Sequence, residues 1–315
     1  MAYYTSSAAN ATGLRDAIEA FCISNGWTLD ASGYIWKGKS FVKLTAPSAN
    51  EVRIVGANSA DGTVDPCSLS RSLYNSTWPA TYELFVHTSP DMCVCVLNYN
   101  VSYIKPLIFG DIVKVHEDAY VGGNWFYAPN YSDCLTASMQ MDIVEDVIGC
   151  FIRSTRTYYA GGNTNCPQQI PFAKQDTATD GYSGGNPSNC LHAEIDGNIW
   201  NTRTSGTGST LHYVDHTRRM YNRSPNQWNN QAILIPMHLQ LQATAYNMYL
   251  GYVEHMRLIR IDYYNIGDII DLTPDKWKVY PWRRKDTTYR DGQFNETGAE
   301  TRSGTLGFAV RYDGP

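Results

Sequence analysis

The sequence predicts a mainly β protein with minor α: an antiparallel β-sandwich or barrel-like body with a loop-rich insertion. Three observations predict it. The chain carries 23 Tyr and 8 Trp beside 25 Gly and 14 Pro, a composition that suits half-exposed strands joined by many turns. Short apolar runs recur between clusters of Asn, Asp, Gly, Pro and Ser. Convincing helical spacing is confined to one segment. At 315 residues, 43% hydrophobic and 17% charged, the chain is long enough to bury a sizeable core.

The first element is that helix. In ATGLRDAIEAFCISNGW, Thr12 is placed to serve as N-cap, Leu14, Ile18, Phe21 and Cys22 share a face, and Asn25-Gly26 stops the run. Strand-like pieces follow at 33–38, 40–46, 51–56, 82–88, 93–100 and 108–116, separated by turn clusters such as GANSADG and SPD. In LTASMQMDIVEDVIG, Leu135, Met139, Val144, Val147 and Ile148 lie near helical spacing, which predicts a second helix. From 160 to 189 the chain is dominated by Gly, Asn, Pro, Thr, Gln and Ser, and 203–210 repeats the theme. Loops of this length in a compact protein are functional arms or disordered stretches, and in an assembly protein such arms order against a neighbour.

Regularity returns at Ala232. Met237, Leu239 and Leu241 alternate with His238, Gln240 and Gln242, the pattern of a strand with one wet face. A further strand covers 253–262, turns fall at Gly267-Asp268 and Thr273-Pro274-Asp275, and the closing run 307–312 is expected to pair into the same sheet. The chain therefore divides into a helix-plus-sheet part at 1–117, a loop-rich insertion at 118–231 and a β part at 232–315 that packs with the first.

A net charge of −5 counts against specific nucleic-acid binding through phosphate neutralisation. The opening MAYYTSSAANATG has no basic and apolar leader pattern, and no run approaches the roughly 18 apolar residues of a membrane span; both point to a cytosolic chain without a membrane partner. Its eight cysteines are then expected to be free and mostly buried. Cys93 and Cys95 are expected to point to opposite faces of a strand and so not to share a metal.

No chemical constellation stands out. GYSGG around Ser183 has the nucleophile-elbow pattern but lacks the strand and helix it needs. His192 and Glu194 match the H-x-E half of a zinc deaminase, without the later P-C-x-x-C. His212 and His216 stand four apart with no adjacent glutamate. His87, His116, His238 and His255 sit in strand-like runs. Hence no catalytic residue, metal or cofactor is assigned, and the chain is not expected to be an enzyme. In the aromatic-basic stretch WKVYPWRRK, Trp277, Tyr280, Trp282, Arg283 and Arg284 are candidate interface residues on an exposed strand end, because Trp, Tyr and Arg are enriched where subunits meet.

Six stretches together carry a resemblance: 14–29 (LRDAIEAFCISNGWTL), 33–46, 82–100, 224–237, 253–285 and 303–315 (SGTLGFAVRYDGP). They resemble a virion structural protein of tailed bacteriophages. The resemblance implies a component of the neck, tail or baseplate region, assembled in the bacterial host cytoplasm as a cyclic homo-oligomer, sixfold by expectation. Its partners are then copies of itself and other tail or neck proteins. A mildly acidic ring also suits passage of DNA, since a basic lumen would hold the phosphates. The alternative reading is a receptor- or carbohydrate-binding module at the tail tip, with Trp277 and Trp282 as stacking platforms.

Overall fold

The computed structural model of the chain describes residues 1–129, 139–145, 150–156, 189–195, 197–202, 210–213, 224–225, 229, 231–242, 247–288, 290 and 303–314. Strand β1 (Ala2–Ala8) precedes helix α1 (Ala11–Ser24). Next come β2 (Thr28–Leu29), β3 (Tyr34–Lys37), β4 (Ser40–Ser48), β5 (Glu51–Ala57) and β6 (Arg71–Tyr74). They are followed by β7 (Ala80–His87), β8 (Met92–Tyr99), β9 (Tyr103–Asp111), β10 (Val113–Lys114) and β11 (Asn124–Tyr127). The middle holds β12 (Met139–Glu145), β13 (Cys150–Arg156), β14 (Asn189–Ile195), β15 (Asn198–Thr202) and β16 (Thr210–Tyr213). Last are β17 (Ile235–Gln242), β18 (Asn247–Arg260), β19 (Ile269–Leu272), β20 (Asp275–Pro281) and β21 (Leu306–Arg311).

The strands build open, antiparallel sheets packed face to face, so the sandwich expectation holds and the barrel does not. A central sheet runs β1-β7-β8-β9-β11-β14-β15, and a C-terminal sheet runs β16-β17-β18-β21-β20-β19 with β10 on β18. A third sheet runs β2-β3-β4-β5-β6, and β12 pairs with β13 alone. Both faces of the central sheet are covered. Phe85, Val94, Ile108 and Trp125 meet Met237, Leu239, Tyr280 and Phe308 of the C-terminal sheet. On the other face Leu84, Leu97, Phe109 and Phe126 meet Val42, Ile54 and the helix residues Leu14 and Ile18.

This double covering explains why residues 92–97 form an unbroken apolar run instead of an alternating one: all six are buried. Met92, Val94 and Val96 face the C-terminal sheet, and Cys93, Cys95 and Leu97 face the helix side. The expectation that Cys93 and Cys95 face apart is therefore corrected. Side chains alternate with period two, so residues two apart share a face, and both thiols lie in the core that also holds Cys22. All five cysteines whose side chains are described, Cys22, Cys67, Cys93, Cys95 and Cys190, are free and buried.

The helix forms where its spacing placed it, with its cap two residues earlier. Asn10, not Thr12, is the N-cap: its side-chain oxygen accepts from Gly13 N at 2.9 Å, satisfying one of the donors a first turn leaves open. Leu14, Ile18 and Cys22 are buried, while Phe21 is half-buried and stacks on Tyr4 at 5.7 Å. At the far end Asn25 caps, and Gly26 takes a φ of +85° that favours glycine.

The second expected helix is not formed over its described residues; Leu135, Val147 and Ile148 lie outside them. Met139–Glu145 is instead a strand, paired antiparallel with Cys150–Arg156 from Met139 opposite Arg156 to Glu145 opposite Cys150. Met139, Met141 and Ile143 alternate with Gln140 and Asp142, so the period-two reading of these residues competes with the helical one, and cross-strand pairing decides it. The middle segment also contributes to the body: β11, β14 and β15 extend the central sheet, and β16 lies at the edge of the C-terminal one. The long polar stretch 160–188 lies outside the described residues, as do residues 203–209.

In the C-terminal sheet, β17 buries Met237, Leu239 and Leu241 and leaves His238 and Gln240 half-exposed, as its alternation requires. Strand β21 pairs with β18 on one side and β20 on the other. That central position buries Leu306 through Val310 in succession. Where β10 crosses β18, a Cβ on Gly251 would stand 2.0 Å from the Val113 carbonyl oxygen; glycine there lets the two backbones touch.

Candidate functional site

The aromatic-basic stretch 277–285 lies mostly inside the molecule. Tyr280 and Trp282 point into the core shared with the central sheet, where Trp282 is 1% exposed and its ring sits 4.5 Å from that of Phe308. Trp277, on the opposite face of the C-terminal sheet, is 5% exposed beneath the Arg257 guanidinium at 4.7 Å. Arg283 is buried as well. Arg284 is exposed, and its Nη1 donates to the Tyr103 hydroxyl at 3.2 Å. The expectation of an exposed strand end is corrected: β21 pairs along β20, and the central sheet covers the inner face. Trp277 and Trp282 are thereby withdrawn from any sugar-stacking role.

Some of the exposed apolar side chains lie at sheet edges, others in turns and loops such as Val101. Strand β19, the last of the C-terminal sheet, exposes Ile269 (46%) and Leu272 (57%), with Tyr263 open on the preceding turn. The central sheet ends in β1, exposing Tyr4, and in β15, exposing Ile199. An edge strand offers unpaired N–H and C=O groups to another chain, and apolar residues on it strengthen the invitation.

A polar cluster occupies the opposite end of the central sheet. His192, on β14, is fully buried; its Nε2 lies 3.2 Å from Asp65 Oδ2 and 3.7 Å from Glu194 Oε1. A bulge in the β14–β15 pairing between His192 and Ile195, with Glu194 at a φ of +50°, turns Glu194 toward the same point as His192. Asp65 arrives from the loop before β6, also at positive φ. Its backbone carbonyl accepts from Trp200 Nε1 at 2.7 Å, and its Oδ2 accepts from Asn58 Nδ2 at 3.3 Å. The ring is boxed in: Trp200 stands edge-on at 5.2 Å, and a Cβ at Gly122 would fall 2.1 Å from His192 Nδ1. Two residues after Asp65 and two before His192, the Cys67 and Cys190 thiols meet beside Arg71. The Cys190 hydrogen bond, and then burial, hold the Cys67 thiol well above its ordinary range. The H-x-E pair stood out in the sequence; Asp65 did not, because it lies 127 residues away from its histidine.

Gly122 also borders a cleft of about 510 Å³ lined by Lys39, Ser89, Pro90, Asp111 and Lys114. Burial, reinforced by the neighbouring Asp91, pushes the Asp111 carboxyl up to about 7. Its Oδ2 accepts from Lys39 N at 3.0 Å, and its Oδ1 is buried without a partner. Lys114 is depressed by burial and by Lys39, and donates to the Tyr120 carbonyl at 2.6 Å. A carboxyl that titrates near neutrality in a cleft can both give and take a proton.

His212 lies on β16, while His216 and Ser183 lie outside the described residues. His87 and His255 are buried. The chain matches no protein-family model, and no curated protein shows significant sequence similarity to it.

Proposed function

We propose that the chain is a structural subunit of a tailed-phage virion, in the neck, tail or baseplate region, that assembles with copies of itself into a symmetric ring. The observation that carries this reading is the open edge at β19, where Ile269 and Leu272 stand exposed on a strand whose outer side is unpaired among the described residues. A different edge at the far side of the same sheet, β16, makes a head-to-tail contact available. Contacts of that heterologous kind close into rings when the rotation between neighbours permits. The stretches that resemble virion proteins supply most of helix α1, β3 and β4 of the third sheet, β7 and β8 of the central sheet and much of the C-terminal sheet, so the likeness falls on the packed body.

Native mass spectrometry and electron microscopy of the purified protein test the proposal. Cyclic oligomers, sixfold by expectation, are the predicted result. A chain that stays monomeric at high concentration and is missing from purified particles overturns it.

A further inference from the structure

The geometry points to a divalent transition-metal site formed by Asp65, His192 and Glu194, with Zn²⁺ the ion it suits best. This inference stands independently of ring assembly.

Three arguments carry it. The first is shape. The donor atoms of the three residues all lie within 4.8 Å of one another, and two of the separations are 3.2 and 3.7 Å. Ligand atoms held about 2.0–2.1 Å from one tetrahedral zinc ion are roughly 3.3 Å apart, so a small rotation of the partly exposed Glu194 side chain completes the set. The second is charge. Two carboxylates converge on one imidazole, and no Lys or Arg among the described residues pairs with either of them. Like charges this close are costly unless a cation lies between them. The third is preorganisation. His192 is fully buried, its ring wedged between Trp200 and Gly122, and its carbonyl accepts from Gly123 N at 2.8 Å. The imidazole is thus held in place before any ion arrives, while the two carboxylates keep a side open to water for entry and for a fourth ligand.

The donor set selects the ion. One imidazole nitrogen and two carboxylate oxygens suit a borderline cation such as Zn²⁺, with Mn²⁺ binding more weakly, better than Mg²⁺ or Ca²⁺, which prefer oxygen alone. The bound ion would tie the loop at Asp65 to β14, and so link the third sheet to the central one. A metal that binds only the folded chain raises its stability by mass action.

The test is calorimetric titration of the full chain with Zn²⁺, Mn²⁺, Mg²⁺ and Ca²⁺, paired with thermal unfolding. The expected result is one tight Zn²⁺ per chain, weaker Mn²⁺, no measurable Mg²⁺ or Ca²⁺, and a midpoint raised by several degrees when Zn²⁺ is present. Asp65→Asn and Glu194→Gln should each weaken Zn²⁺ binding at least tenfold and, combined, abolish the thermal shift. Because these carboxylates are partly exposed, both variants should fold, as circular dichroism will verify; His192→Gln is kept for confirmation. Absence of saturable Zn²⁺ binding overturns the proposal. So does binding that survives in the Asp65→Asn, Glu194→Gln double variant, particularly if His216→Gln removes it, which would place the ion on the other histidines.

Discussion

His87 and His255 stack face to face between the central and C-terminal sheets, with ring centroids 4.3 Å apart and planes 9° from parallel. Both are buried. His255 donates from Nε2 to the Pro90 carbonyl at 3.1 Å. Burial, then the neighbouring imidazole and the positive Met1 amino group and Arg311, hold His87 well below the ordinary histidine range. Burial likewise lowers His255 to about 4, with Arg311 and Arg257 adding to it and the Pro90 contact opposing.

The stack makes stability depend on acid. Unfolded, each imidazole takes a proton near pH 6.5; folded, it resists until about pH 4 in the case of His255. The unfolded chain therefore binds more protons between those limits, and stability is full above about pH 6.5 and falls as the pH drops toward 4. For His255 alone the loss amounts to about 3 kcal/mol. Urea unfolding at pH 7.5, 5.5 and 4.5 should show this loss, and His255→Leu should remove its share of the slope. An equal slope in variant and parent would show that the pair does not set it.

Asp111 has the opposite sign. Its folded-state value near 7 lies above that of an unfolded aspartate, so burial of the carboxyl costs stability as the pH rises from about 4 through 7. Asp111→Asn should match the parent chain below about pH 4, gain on it as the pH rises to about 7, and hold that gain above it. Thermal unfolding from pH 3.5 to 8 checks this divergence, and a constant difference between the two proteins would refute the shift.

Trp282 and Arg284, two residues apart, should behave in opposite ways. Trp282→Ala empties a core site against Phe308 and should cost about 3–5 kcal/mol. Arg284→Ala, on the surface, should change stability by no more than about 0.5 kcal/mol. Chemical denaturation of both variants makes the comparison; similar losses would mean that Trp282 is not the packed residue described above.

Placing charge on the β19 edge should uncouple assembly from folding. Ile269→Lys with Leu272→Lys keeps the exposed strand paired to β20 but sets like charges where a neighbour would dock. The expected outcome is a monomer by native mass spectrometry with an unfolding midpoint within a few degrees of the parent. Oligomers of unchanged size would send the search for the contact to β1 or β15.

Much of the architecture was legible in local patterns. The spacing of Leu14, Ile18 and Cys22 specified one helix face, and the alternation from Met237 to Leu241 specified a strand with a wet side. The failures share a cause. Residues 139–145 satisfy helical and strand periods at once, and the pairing with Cys150–Arg156 chose between them. Asn10 is the better cap by chemistry, and it takes the extended backbone and accepts from Gly13 N, so the helix begins before Thr12.

By itself, then, the sequence determined a turn-rich β protein with one helix near its start, because side-chain period and turn chemistry act over a few residues. Only the tertiary structure decided that the central sheet is covered on both faces, that Trp277 and Trp282 are interior, and that Asp65 reaches His192. Burial and charge pairing depend on which distant segments pack together. That choice is made by the free energy of the whole body, not by any stretch read alone.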